Sequence, residues 1–99
     1  MSIPSFYWAT QAHDSPNIGG FNDMFGAAKA AMETIGLVNV KRNQDDVSGF
    51  TSDAIAAIAC TRCGNIYTLI VMVSSDVDSH AKTILSKLLT EIPKHIPNL

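Results

Sequence analysis

The chain has 99 residues, of which 46% are hydrophobic and 16% charged, and its net charge at neutral pH is -2. This length accommodates one domain with one core, and the apolar fraction excludes an intrinsically disordered chain. Seven Lys and Arg residues against nine Asp and Glu, without a basic cluster, disfavour nucleic acid as a partner. We therefore expect a single globular domain over residues 1–99.

The compartment is predicted from two absences in the sequence. The N-terminal segment lacks the basic region followed by an apolar run that defines a secretory signal. The longest apolar region, residues 54–73, is interrupted by Arg62 and Asn65 and does not fit a membrane helix. We therefore predict a cytoplasmic protein without a membrane partner, in which the two cysteines stay reduced.

The first predicted element is a strand over residues 5–12, which is rich in aromatic residues. Alternation along a strand places Phe6 and Trp8 on one face and Tyr7 on the other. Residues 13–20, HDSPNIGG, combine His, Asp, Ser, Pro, Asn and Gly and are predicted to form a loop.

A helix is predicted next, over residues 22–35, because its apolar residues recur at intervals of three and four. Asn22 suits the N-cap, and Gly36 suits the left-handed position just past the end of the helix. Residues 37–42 then alternate apolar and polar side chains, which predicts a half-buried strand.

Two more strands are predicted before the last helix. After a turn over residues 43–46, residues 47–60 are interpreted as one long strand that is kinked near Gly49 and Ser52, with a short strand plus a longer one as the alternative. Residues 65–73, NIYTLIVMV, are β-branched and apolar on both faces, and we expect this strand to be central in the sheet.

The last predicted element is a helix that has Ser75 or Asp76 as its cap and ends at Pro93. The order is therefore βαβββα, an α+β fold in which a mostly antiparallel four-stranded sheet carries two helices on one face. This layout resembles the ferredoxin-like family of small α+β sandwiches. The resemblance rests on the order of elements and implies an arrangement of layers, not an activity.

The predicted layers leave one sheet face open. Two helices cover one face, whereas residues 54–58 and 67–72 offer apolar or small groups to both faces. We therefore predict a homodimer in which the open sheet faces pack together. The alternative is that the loop over residues 13–20, or the C-terminal tail, covers the open face.

The segment CTRCG, from Cys60 to Gly64, has the CxxCG form of zinc knuckles, in which a tight turn brings two thiolates to one side. A structural zinc needs four ligands, and the predicted strand directions leave His95 as the one further donor in the chain. A complete site would then need either a water ligand or the same two cysteines from a second subunit. A redox role is less favoured, since the pair does not precede a helix. The alternative is that Cys60 is a small buried hydrophobe and Gly64 supplies the positive φ of a hairpin.

Candidate catalytic residues are found near the ends of the predicted elements. By the predicted strand directions, His13 and Asp14 share a sheet edge with Asp76, Asp78 and His80 at the start of the last helix. An imidazole beside carboxylates can act as a general acid or base. The alternative is that His13 and Asp14 are solvated and that the other carboxylates stabilise the helix N-terminus.

Phe6 and Trp8 are candidate ligand-binding residues, since aromatic side chains can line a pocket between helix and sheet; a place in the core is the alternative. No phosphate-binding loop or hydrolase motif is present. The sequence thus favours a small homodimeric protein that acts through binding or assembly without catalysis. A zinc-binding protein using Cys60 and Cys63 comes second, and a small enzyme with a site near His13 third; the ligand or substrate is not specified.

Overall fold

The structure, a computed structural model, describes residues 4–14 and 19–97. The elements in chain order are β1 (Ser5–Asp14), α1 (Phe21–Thr34), β2 (Val38–Arg42), β3 (Asp46–Phe50), β4 (Ala54–Cys63), β5 (Ile66–Ser75) and α2 (Asp78–Glu91), followed by a 3₁₀ turn over Ile92–His95. In these described ranges, no helix has the length and apolar character needed to cross a bilayer.

The strands form one sheet in the order β1-β5-β4-β3-β2, and every neighbouring pair is antiparallel. β1, β4 and β5 have ten residues each and are much longer than β2 and β3, which have five. The segment predicted to be central is β5, which lies inside the sheet between β1 and β4. This strand is thus an inner strand, although the middle strand of the five is β4.

The prediction of one kinked strand is wrong, because that segment forms both β3 and β4 and the sheet has five strands instead of four. The backbone N–H of Thr51 donates to the carbonyl of Ala54 at 2.9 Å, and the Thr51 hydroxyl donates to the Asp53 carboxylate at 3.0 Å. Thr, Ser and Asp side chains bond to nearby backbone or to one another in this way and stabilise tight turns. The TSD sequence at residues 51–53 therefore reverses the chain.

The ferredoxin-like layout also fails in its details. That fold has its second helix between strands, in the order βαββαβ. Here four strands follow α1 without interruption, and α2 comes after the last of them. The class of fold, α+β with an antiparallel sheet and two helices, is as predicted.

Both helices pack on the same face of the sheet, which we call the helix face. α1 contacts β2, β3 and β4, whereas α2 contacts β5 and β1. α1 starts two residues earlier than the predicted cap implies, with Gly20 and not Asn22 at the N-cap. Gly36 has a φ of 93°, which is the left-handed conformation expected just past the helix.

The start of α2 differs from the predicted cap. Val77 occupies the N-cap position and makes no side-chain cap bond. The buried Ser75 instead donates its hydroxyl to the backbone carbonyl of Asp53 at 2.8 Å and accepts from the N–H of Val77 at 3.0 Å. Ser75 therefore joins the start of α2 to the turn between β3 and β4.

The core lies between the helix face and the two helices. Val47, Ile58 and Val71 are direct partners across β3, β4 and β5, and none of the three is exposed to solvent. α1 lies very close to β3, because a Cβ added at Gly49 would be only 3.2 Å from the sulfur of Met32. Any larger residue at position 49 would need Met32 and Leu37 to shift by a few tenths of an ångström.

Candidate functional site

The sheet face that the helices leave uncovered, here called the open face, carries a continuous apolar surface at one end. Residues that lie directly opposite each other on neighbouring strands project from the same face of the sheet. Successive opposite residues therefore form rows across the strands. The first row crosses all five strands without a charged residue: Phe6, Ser74, Ile55, Phe50 and Val38. The second row consists of Trp8, Met72, Ala57, Ser48 and Lys41.

Five large side chains in these rows are exposed, and we call them the apolar patch: Trp8 by 63%, Phe6 by 57%, Val38 by 56%, Ile55 by 44% and Phe50 by 39%. Their exposed parts together amount to about 500 Å² of apolar surface. The largest apolar patch on a monomeric protein is commonly about 300–600 Å² and often functional. The apolar patch is therefore large for a chain of this size.

The surface of the apolar patch is uneven. A shallow depression of about 160 Å³ lies among Phe6, Ile55, Ala57, Met72 and Ser74. Trp8 stands directly beside this depression, because it is the partner of Met72 across β1 and β5. A protruding indole and a depression of side-chain size are thus adjacent on the same face.

Charges on the open face lie around the apolar patch and not within it. Lys41 ends the second row at the β2 edge, and Asp46 lies on β3 two residues from Ser48, the partner of Lys41. Asp14 lies at the opposite end of the face, where it pairs with Ile66. An apolar centre with a polar rim is the usual anatomy of a protein interface.

The predicted place of Phe6 and Trp8, in the core or in a pocket between helix and sheet, is wrong. Both residues project from the face opposite the helices. Tyr7 is on the helix face, where its hydroxyl donates to the carboxylate of Asp78 on α2. The alternation of aromatic residues was visible in the sequence, but alternation alone does not reveal which face the helices cover.

The predicted knuckle geometry of Cys60 and Cys63 is wrong, because both residues lie within β4. The turn consists of Gly64 and Asn65, with the predicted positive φ at Gly64, 61°. Side chains three positions apart on a strand point to opposite faces, so Cys60 is half-buried on the helix face and Cys63 is exposed on the open face. In this geometry the two side chains do not converge on one position.

The further donor predicted for zinc, His95, has other partners. Its Nε2 contacts the Glu91 carboxylate at 3.1 Å and the Thr34 hydroxyl at 3.4 Å, between the ends of the two helices. Within residues 4–14 and 19–97, no three His, Cys, Asp or Glu side chains are grouped to hold a metal ion. The described geometry therefore does not support zinc binding within one chain.

The two thiols should differ strongly in reactivity. Burial raises the pKa of the Cys60 thiol to about 11, so only about one Cys60 in a thousand is a thiolate at pH 8. We expect Ellman's reagent at pH 8 to titrate one thiol per folded chain rapidly and the second only after unfolding. Cys63→Ser should abolish the fast phase and Cys60→Ser should preserve it; two equally fast thiols would contradict the assignment.

The predicted cluster of His13 and Asp14 with the residues that begin α2 is wrong. His13 pairs with Tyr67 and Asp14 with Ile66, which places both beside the β4–β5 turn. His80 lies at the other end of the sheet, where α2 begins after β5. The extra strand reverses the direction of every later element relative to β1, and this moves the two groups to opposite ends.

His13 has structural partners in this position. Its Nε2 lies 2.7 Å from the side-chain oxygen of Gln11, whose amide nitrogen donates to the backbone carbonyl of Leu89 at 2.8 Å. Burial lowers the pKa of His13. Asp14 points to the opposite sheet face by strand alternation, so the two side chains do not converge on a substrate position.

His80 forms a pair that the sequence analysis missed. Its Nδ1 lies 2.5 Å from the Asp53 carboxylate, and this hydrogen bond lowers the pKa of Asp53. A carboxylate that accepts a hydrogen bond from an imidazole can orient that imidazole to act as a general base. However, the neighbouring hydroxyls are engaged, since Thr51 donates to Asp53 at 3.0 Å and Thr83 donates to the backbone carbonyl of Ser79 at 2.8 Å. The pair joins α2 to the β3–β4 turn.

The described residues thus form a two-layer α+β sandwich in which two helices cover one sheet face and the apolar patch is exposed on the other. Comparison with protein-family models and with curated proteins finds no match for this chain. The functional interpretation therefore rests on the geometry of the open face.

Proposed function

We propose that this protein is a homodimeric binding or assembly module without catalysis, and that its apolar patch packs against the same patch of a second copy. The exposure of two neighbouring aromatic side chains on β1, Phe6 and Trp8, carries the proposal. Removing about 500 Å² of apolar surface from water is favourable by on the order of 10 kcal/mol per chain before the cost of association is subtracted. This burial supplies a driving force for association.

The shape of the apolar patch supports a second copy as the partner. A two-fold axis brings the same surface of both chains together, so a good contact needs a protrusion and a complementary depression on one surface. Trp8 and the depression lined by Phe6, Ile55 and Met72 meet this requirement. Sheet faces pack about 10 Å apart with interdigitating side chains, which suits insertion of each indole into the opposite depression.

The size and charge of the open face fit the same interpretation. A standard interface buries about 800 Å² on each partner, which the apolar patch and its half-buried neighbours can supply. Lys41 and Asp46 lie on the same side of the patch and carry opposite charges. A two-fold arrangement can therefore pair unlike charges at the rim, which favours self-association over repulsion.

The proposal is tested by the mass of the native particle and by its single tryptophan, Trp8. At high micromolar concentration, light scattering should give at least twice the chain mass of 10.6 kDa. Trp8 emission should shift to longer wavelength on dilution, as the indole returns to water. A single-chain mass over the whole range, with emission independent of concentration, would show the proposal to be wrong.

A further inference from the structure

The outer edge of β1 is a second, independent surface for association. β1 is a terminal strand of the sheet and is paired over all ten residues with β5 on its inner side, without a register shift. Among the described residues no strand pairs with its other side, so alternate N–H and C=O groups point outward. A long and regular edge of this kind is a template for pairing with another strand.

The opposite edge of the sheet is protected in ways that β1 is not. β2 has five residues, a register shift between Val38 and Lys41, and a positive φ of 53° at Asn39. It also carries two cations, Lys41 and Arg42. Short length, irregularity and positive charge are the usual protections of an edge strand, whereas β1 contains no proline, Lys or Arg.

We infer that β1 pairs antiparallel with β1 of a second copy and joins two sheets into one of ten strands. This inference rests on the backbone edge and not on the apolar patch. A second copy is favoured because antiparallel pairing about a two-fold axis separates the charged ends of the two strands. Asp14, at one end of β1, then lies far from its equivalent.

Strand alternation restricts the register. The helix faces of both copies must lie on the same side of the joined sheet, and directly opposite residues project from the same face. The two-fold axis must therefore lie where one residue is opposite its own equivalent in the second copy. Centring it on Thr10 places Phe6 opposite the partner's Asp14. Centring it on Ala9 places Phe6 opposite the partner's Ala12, which leaves room for the ring. We therefore assign the axis to Ala9.

The Ala9 register also suits the exposed indole. Trp8 then lies opposite the partner's Thr10, and an aromatic residue opposite a β-branched one is a favourable cross-strand pair. The two indoles become diagonal neighbours at about 7–8 Å, within reach of each other. The apolar patches of both copies then lie side by side on one continuous face.

Edge pairing and packing of the open faces are geometrically compatible. The edge axis is perpendicular to the sheet, whereas the axis that relates two packed faces lies between the sheets. Where they intersect, as a closed particle requires, the two perpendicular two-fold axes generate an assembly of four chains, a common symmetry for homo-oligomers. With both interfaces present, the wild-type particle should contain four chains.

The test combines amide exchange with two proline variants. In wild-type protein at high micromolar concentration, all amides from Tyr7 to Gln11 should exchange slowly, whereas a free edge would show fast exchange at alternate residues. Ala9→Pro and Thr10→Pro remove neighbouring N–H groups, one of which points outward. The variant without the outward donor should keep its fold and lose edge pairing, which halves the particle mass.

The outcomes separate this inference from the proposed function. Alternate fast exchange in wild-type β1, or an unchanged mass in the folded proline variant that lacks the outward donor, would overturn edge pairing and leave the face interface standing. A halved mass in the proline variant together with an unchanged mass in Ile55→Lys would support edge pairing and contradict the face interface. If neither proline variant folds, the exchange pattern of the wild-type protein decides.

Discussion

Ile55→Lys is expected to halve the mass of the native particle at high micromolar concentration. Ile55 lies in the middle of the uncharged row, between Ser74 and Phe50, and 44% of it is exposed. In a single chain the ammonium stays in water and the fold is little affected. In the packed form it becomes a buried charge without a partner, which costs about 3–5 kcal/mol and weakens association by about 100-fold or more.

Ile66→Lys is the matched control for this substitution. Ile66 is 43% exposed on the same open face, but it lies beside the β4–β5 turn with Asp14 and Cys63 as its partners, outside the apolar patch. We expect this variant to keep the wild-type mass and Trp8 emission. If Ile66→Lys dissociates the particle and Ile55→Lys does not, the interface lies at the other end of the face and the proposed packing is wrong.

Ile58→Ala is expected to cause the largest loss of stability, about 2–5 kcal/mol in the free energy of unfolding. Ile58 is wholly buried on the helix face between Val47 and Val71. Truncation removes apolar contacts and leaves a cavity that rigid strands on either side cannot close. The melting temperature should fall by about 10 °C or more. Urea unfolding followed by circular dichroism measures the change.

The Ile58→Ala measurement should be made in the Ile55→Lys background, in which unfolding is not coupled to association. Ile66→Ala is the control of identical chemistry, because Ile66 is substantially exposed. We expect that change to cost less than about 1 kcal/mol. Comparable losses for Ile58 and Ile66 would contradict the placement of the core between the helix face and the helices.

Local patterns in the sequence were sufficient for the helices and for most strands. The recurrence of apolar residues at intervals of three and four located both helices, since one helix face must be buried. Gly36 and Gly64 were identified as residues with positive φ, because each follows or precedes a regular element where only glycine is free of strain. These are short-range effects, and they leave local signatures.

The candidate site required longer-range information. Three short polar residues at 51–53 decided whether the chain continued or reversed, and their side-chain bonds to each other and to nearby backbone favoured reversal. That single turn determined the direction of β4 and β5. It therefore separated His13 from His80.

Hydrophobic periodicity is a local property of the chain, and it is enough to predict an α+β domain with more apolar strand surface than two helices cover. Which face stays open, and which residues lie on it, depends instead on how distant parts of the chain pack together. The alternation of Phe6 and Trp8 with Tyr7 is the same whether the first two face the helices or the solvent. Which face of β1 is covered depends on the side of the sheet on which α2 packs over β1 and β5. That side is set by contacts between residues far apart in the chain, such as the bond between Tyr7 and Asp78.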